Sequence, residues 1–128
     1  MNLLLDTHVL LWMHDEIEKL SKSASDALTV TENTLYISTA SIWEIQVKFK
    51  SGKLRLAKPV HEILDEQILV NDLEILALER QHAVNVVNLP PAYKDPFDRM
   101  IISQAMVEDM TILTADPKFS EYPVKLLW

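Results

Sequence analysis

Four carboxylates, Asp6, Glu44, Asp98 and Asp116, stand at positions where their type and setting allow chemistry. Asp6 ends the apolar run Leu3-Leu4-Leu5, and Asp116 closely follows Thr111-Ile112-Leu113-Thr114. Glu44 closes Ser41-Ile42-Trp43-Glu44, which fits a capping box and predicts a first-turn glutamate. Asp95-Pro96-Phe97-Asp98 reads as an acid cap, a proline at the first helical position and an acid in the first turn. Each acid has an ordinary explanation too: Asp6 can cap a helix starting near Thr7, and Asp116-Pro117 can make a turn. Taken jointly, two strand ends and two first helical turns fall on one edge of a parallel sheet. Four carboxylates meeting there repel one another unless some are protonated or a cation intervenes. Oxygen-only donors without His or Cys favour Mg²⁺ or Mn²⁺ over zinc. The matching chemistry is phosphoryl transfer by metal-activated water, with room for a second metal about 3.5–4 Å away to stabilise the leaving oxygen.

The elements that must position these acids are short. Leu3–Leu5, Leu35–Ile37, Leu73–Leu76, Thr111–Thr114 and Val124–Trp128 are the strand candidates. Unbroken apolar runs of this kind, without alternation, suit parallel strands covered on both faces. Between them lie helical stripes: Ile42, Ile45 and Phe49; Val60, Ile63, Leu64 and Ile68 behind Pro59; Ile101, Ile102 and Ala105. Ser21 is placed to cap a short helix through Leu28. Strands alternating with helices predict an α/β fold, a sandwich around a parallel sheet.

Composition narrows the classes. The 128 residues suit a single domain spanning 1–128, and 48% hydrophobic with 24% charged residues is globular usage. There is no cysteine, so disulfides and thiolate sites are excluded, and one glycine, Gly52, cannot make a phosphate-cradling glycine loop. The start MNLLLDTHVLLW has no basic leader, and no run is long enough to span a membrane, so a cytoplasmic protein is expected. The net charge of −7 argues against a general nucleic-acid coat, yet Lys48, Lys50, Lys53, Arg55 and Lys58 form a stretch without an acid. That stretch reads equally as a solvated helix end or as a contact for substrate phosphates. His8, His14, His61 and His82 show no metal spacing and default to surface or packing roles, His8 being set apart only by following Asp6-Thr7 directly. Trp12 and Trp43 read as packing residues.

The constellation resembles the PIN-domain ribonucleases and, within them, the VapC toxins of bacterial type II toxin–antitoxin pairs. The resemblance rests on LLLDTHVLLW from Leu3 to Trp12, ISTASIWEI from Ile37 to Ile45, LPPAYKDPFDRMIISQA from Leu89 to Ala105 and TILTAD from Thr111 to Asp116. It implies a Rossmann-like three-layer α/β/α sandwich and Mg²⁺- or Mn²⁺-dependent RNA cleavage leaving 3′-hydroxyl and 5′-phosphate ends. Asp6, Glu44, Asp98 and Asp116 fall on the family's four acids, as catalytic and metal-holding residues, and Thr114 on its small hydroxyl residue. Thr7 joins Thr114 as a supporting hydroxyl. Lys48, Lys50, Lys53 and Arg55 are the candidate RNA contacts. The resemblance also implies a homodimer and a small antitoxin whose C-terminal segment lies across the active-site groove.

Three departures from the family pattern stand out: Ala115 where many relatives have arginine, Tyr93 where close relatives often have histidine, and Glu108-Asp109 in place of the more usual glycine-bearing turn. None touches the acids. Competing readings are a PIN-fold nuclease or binding module outside a toxin–antitoxin pair, and a Mg²⁺-dependent phosphoacceptor domain. The last wants paired early aspartates and a late-strand lysine, and Asp6 is followed by Thr7-His8. A haloacid-dehalogenase-type phosphatase wants a second aspartate two residues on, where His8 stands.

Overall fold

The computed structural model describes residues 1–91 and 95–128. Tyr93, one of the departures from the family pattern, lies outside the described residues. Five parallel strands, β1 (Asn2–Leu5), β2 (Thr34–Ser38), β3 (Glu74–Leu76), β4 (Thr111–Leu113) and β5 (Lys125–Leu127), form one sheet in the order β3-β2-β1-β4-β5. The helices are α1 (Thr7–Asp15), α2 (Lys22–Thr29), α3 (Thr39–Lys50), α4 (Val60–Asn71), α5 (Arg80–Asn85) and α6 (Pro96–Glu108). None is long and apolar enough to cross a membrane among the described residues.

The central strand shows why an unbroken apolar run is needed. Leu3 and Leu5 pack into one core with Val9, Leu10, Ala24 and Val60, while Leu4 points into the other with Ile101, Ile102, Ala105 and Phe119. Successive strand residues face opposite sides, so a strand covered on both faces must be apolar throughout. Each fully buried leucine is worth about 1.5–3 kcal/mol relative to exposure. Two cores on one sheet make the predicted three-layer α/β/α sandwich. From β1 the chain builds to β2 and β3 on one side, then returns to β4 and β5 on the other. That reversal falls between β1 and β4, and ligands of such sheets bind at the carboxyl ends of the strands there.

The caps agree with the sequence in two cases and correct it in two. Ser21 Oγ accepts from the Ala24 amide at 3.0 Å and starts α2. Asp95 Oδ1 accepts from the amides of Phe97 and Asp98 at 2.9 and 3.1 Å, with Pro96 opening α6. The helix carrying Glu44, however, begins at Thr39 with Ser38 as its cap, and Ser38 Oγ accepts from Ala40. The Ser41–Glu44 capping box therefore does not form, and Glu44 stands in the second turn. Ser38 is the last residue of β2, and a cap directly on the strand end wins because it closes the turn without a linker. The Asp6 side chain likewise makes no capping bond; its backbone carbonyl accepts from Val9 and Leu10 instead.

The helical stripes hold only in part. Ile45 is buried, Ile42 is half-buried and Phe49 is exposed, while in α4 the inward position after Leu64 belongs to Gln67 rather than Ile68. Asp109 ends α6 at φ 54°, taking the left-handed cap position a glycine would otherwise fill.

Candidate active site

The ends of β1 and β4 place Asp6 beside Thr114 and Asp116, the second turn of α3 places Glu44 against Thr7, and the first turn of α6 carries Asp98. The Asp6 amide donates to Leu113 O at 3.0 Å, tying the end of β1 to the end of β4. Thr114 then stands beside Asp6, and its hydroxyl donates to Asp6 Oδ2 at 2.8 Å. The same hydroxyl oxygen accepts from the Asp116 amide at 3.0 Å. Asp116 Oδ1 accepts from Lys118 N, so this acid caps the tight turn Pro117–Glu121 and stays partly exposed. One threonine thus holds two acids in register.

Glu44 is 3% exposed. It sits on α3, which packs against both α1 and α6. Its Oε1 accepts from Thr7 Oγ1 at 2.7 Å, and Lys48 Nζ lies 2.5 Å from its Oε2. Asp98, the third residue of α6, is buried as well. The edge-to-face contact of Trp43 with Phe97, centroids 5.0 Å apart, joins the residues that precede Glu44 and Asp98 and so pins α3 to α6.

The electrostatics match this crowding. Burial pushes the Asp6 carboxyl above its ordinary range; the Thr114 hydroxyl, His8 and the Thr7 amide counteract it, and the Glu44 charge adds to it. The hydrogen bond to Glu44 raises the Lys48 ammonium, and the charges of Asp95 and Asp98 raise it further. Asp6 and Glu44 are therefore coupled, and Lys48 links Glu44 to the charges of Asp95 and Asp98.

Carboxylate donors with two hydroxyls behind them, and no sulfur or imidazole among them, fit Mg²⁺ or Mn²⁺ by chemistry. Among the described residues no three Asp, Glu or His side chains stand close enough to hold an ion as placed. In the structure Lys48 balances the Glu44 charge.

The other sequence candidates divide. Lys48 belongs to the acidic cluster instead of a separate patch, whereas Lys50, Lys53 and Arg55 are exposed. Arg55 lines a cavity with His8 and Trp12. Trp43, read as a packing residue, is 64% exposed beyond its contact with Phe97. His82 is buried and its Nδ1 accepts from the Glu79 amide, a packing and capping role consistent with its default reading. Sequence reasoning missed Ser38 as a cap and Ser41 as a fully buried hydroxyl; Ser38 was signalled by its place directly after an apolar strand.

The PIN domain family model matches residues 3–125 of the chain. The chain is 28% identical over 120 residues, 93% of its length and 90% of the relative's, to ribonuclease VapC22 of Mycobacterium tuberculosis. Its fold is similar to that in VapBC2 from Rickettsia felis bound to a promoter DNA fragment, with TM-score 0.75, 21% identity and coverage of 98% of this chain and 97% of that one. It is also similar to DNA-bound VapBC from Salmonella typhimurium, with TM-score 0.67, 17% identity and coverage of 98% and 96%. A third likeness is to FitAcB from Neisseria gonorrhoeae, with TM-score 0.62, 18% identity and coverage of 97% and 95%. With its four acids at the carboxyl edge of a β3-β2-β1-β4-β5 sheet and a family match along nearly the whole chain, this protein belongs to the PIN domain family.

Proposed function

We propose that the chain is a Mg²⁺- or Mn²⁺-dependent endoribonuclease, the toxin of a type II toxin–antitoxin pair. The observation that carries this reading is the Asp6–Thr114–Asp116 linkage beside the buried Glu44–Thr7 pair. Such an arrangement concentrates negative charge where a parallel sheet binds ligands, which is useful chiefly to a site for a divalent cation. Similarity to ribonuclease VapC22 and to the folds in toxin–antitoxin complexes supports the substrate and the partner.

Asp6, Asp98 and Asp116 would hold the ion, and Glu44 would complete its shell or orient the attacking water. When bound, the ion activates water and neutralises charge on the phosphate. Thr114 fixes the Asp6 carboxylate and Thr7 fixes that of Glu44, so the acids are held before substrate arrives. No side chain serves as nucleophile. Lys50, Lys53 and Arg55, exposed near the end of α3 and beyond it, meet the phosphates of the strand. The chain acts in the cytoplasm as a homodimer, and a small antitoxin protein neutralises it.

The test is cleavage of RNA by the purified chain. Activity disappears with a chelator and returns with Mg²⁺ or Mn²⁺, and Asp98→Asn loses roughly a hundredfold or more. Wild-type cleavage by Asp98→Asn, or full activity in chelator, would overturn the reading.

A further inference from the structure

A cavity of about 200 Å³ lies between α1 and the loop that follows α3, and His8, two residues along the chain from Asp6, is part of its lining. Its aromatic wall is built one turn apart on α1. His8 and Trp12 stand with ring centroids 6.0 Å apart, and Trp12 packs in turn on Trp128 at 5.9 Å. The ring of Trp12 is thus held by a neighbouring ring while remaining partly exposed. Half-buried Leu54 and Leu56 also line the cavity and add apolar surface, and exposed Arg55 lines it between them in sequence. Asp15 and Glu16 also line the cavity, with Glu16 ion-paired to Lys19, whose ammonium lies 5.8 Å from the Trp12 centroid.

We propose that this cavity is the subsite for one unpaired base of the RNA strand, next to the phosphate being cut. The proposal rests on the ribonuclease reading and extends it. An aromatic ring against apolar walls takes up a flat ring of any base by stacking. Carboxylates in the lining repel a phosphate but accept hydrogen bonds from amino and imino groups on a base edge. Arg55 offers the cation that a flanking phosphate needs at the rim. The link to the acids is His8, which lines the cavity and stands two residues from Asp6 in the chain. A strand with its phosphate at Asp6 therefore meets His8 first and Trp12 next.

The experiment measures binding of a short fluorescein-labelled RNA to the full chain carrying Asp98→Asn, so that the strand survives, with melting curves for every variant. Trp12→Leu and Arg55→Ala each weaken binding about tenfold, the scale of one stacked base, and Trp12→Phe keeps most of it. An RNA made abasic at the nucleotide beside the cleavage site loses the same factor on the parent chain and nothing further on Trp12→Leu. Arg55 is exposed, so its variant reports even where Trp12→Leu melts early. Parent-like binding of intact RNA by both variants, or equal abasic losses with and without Trp12, would overturn the subsite while leaving the nuclease reading intact. A basic peptide losing affinity for these variants while RNA does not would assign the cavity to a protein partner and also overturn it. Absence of RNA cleavage by the wild-type chain strikes the ribonuclease reading itself.

Discussion

Thr114 donates its hydroxyl hydrogen to Asp6 Oδ2 at 2.8 Å, although the two residues are 108 positions apart. The bond exists because β4 lies beside β1 in parallel register, with Leu113 paired to Leu5, which brings the next residue of each strand to the same edge. Since the same hydroxyl takes the Asp116 amide, it is the joint between two acids. Thr114→Val should lower activity about 10–100-fold, as expected when a group orienting a ligand is lost. Stability should fall by about 1–3 kcal/mol because a buried acceptor loses its donor. Thr114→Ser should keep most of both, and kinetics with denaturant melts check this.

Burial raises the Asp6 carboxyl, so the folded chain binds that proton more tightly than the unfolded chain does. The stability this contributes is present below the ordinary value of 3.8 and is lost as the pH rises through the folded value. At neutral pH the ionised group costs stability. Asp6→Asn should therefore melt higher than wild type in chelator at neutral pH, with the gain vanishing as the pH falls, while cleavage is lost. Melting curves across pH decide it, and a variant less stable at neutral pH would contradict it.

Lys48 neutralises Glu44 in a pocket that also feels Asp95 and Asp98. Lys48→Met removes that charge and leaves the carboxylates to repel one another. The metal-free chain should lose stability, and the rise in melting temperature with added Mn²⁺ should exceed that of wild type, because a tighter ion stabilises by mass action. Thermal melts over a Mn²⁺ titration give the comparison.

The start of α3 can be checked directly. Ser38→Ala removes the cap on Ala40 and should cost about 0.5–2 kcal/mol. Ser41 Oγ is buried without a hydrogen-bond partner among the described residues. Ser41→Ala should then be neutral or stabilising by about 1 kcal/mol, since it removes an unsatisfied polar atom. A capping box beginning at Ser41 would give the reverse order in chemical denaturation.

Much of the architecture is written in local pattern. A strand such as Leu3–Leu5 must be apolar at every position to be covered on both faces, so the sequence by itself specified a sandwiched parallel sheet and aspartates at its carboxyl edge. Asp95-Pro96 announced its helix because cap chemistry acts within three residues. The first residue of α3 escaped because Ser38 and Ser41 both satisfy that local chemistry, and only the end of β2 chose between them. The Glu44–Lys48 pair is a local i, i+4 contact on α3, but which hydroxyl Glu44 meets and which threonine holds Asp6 depend on contacts across 37 and 108 positions. Those contacts follow from strand order and from α3 packing on both α1 and α6, which no window of residues encodes. The acids are a property of the chain; their electrostatic coupling is a property of the fold.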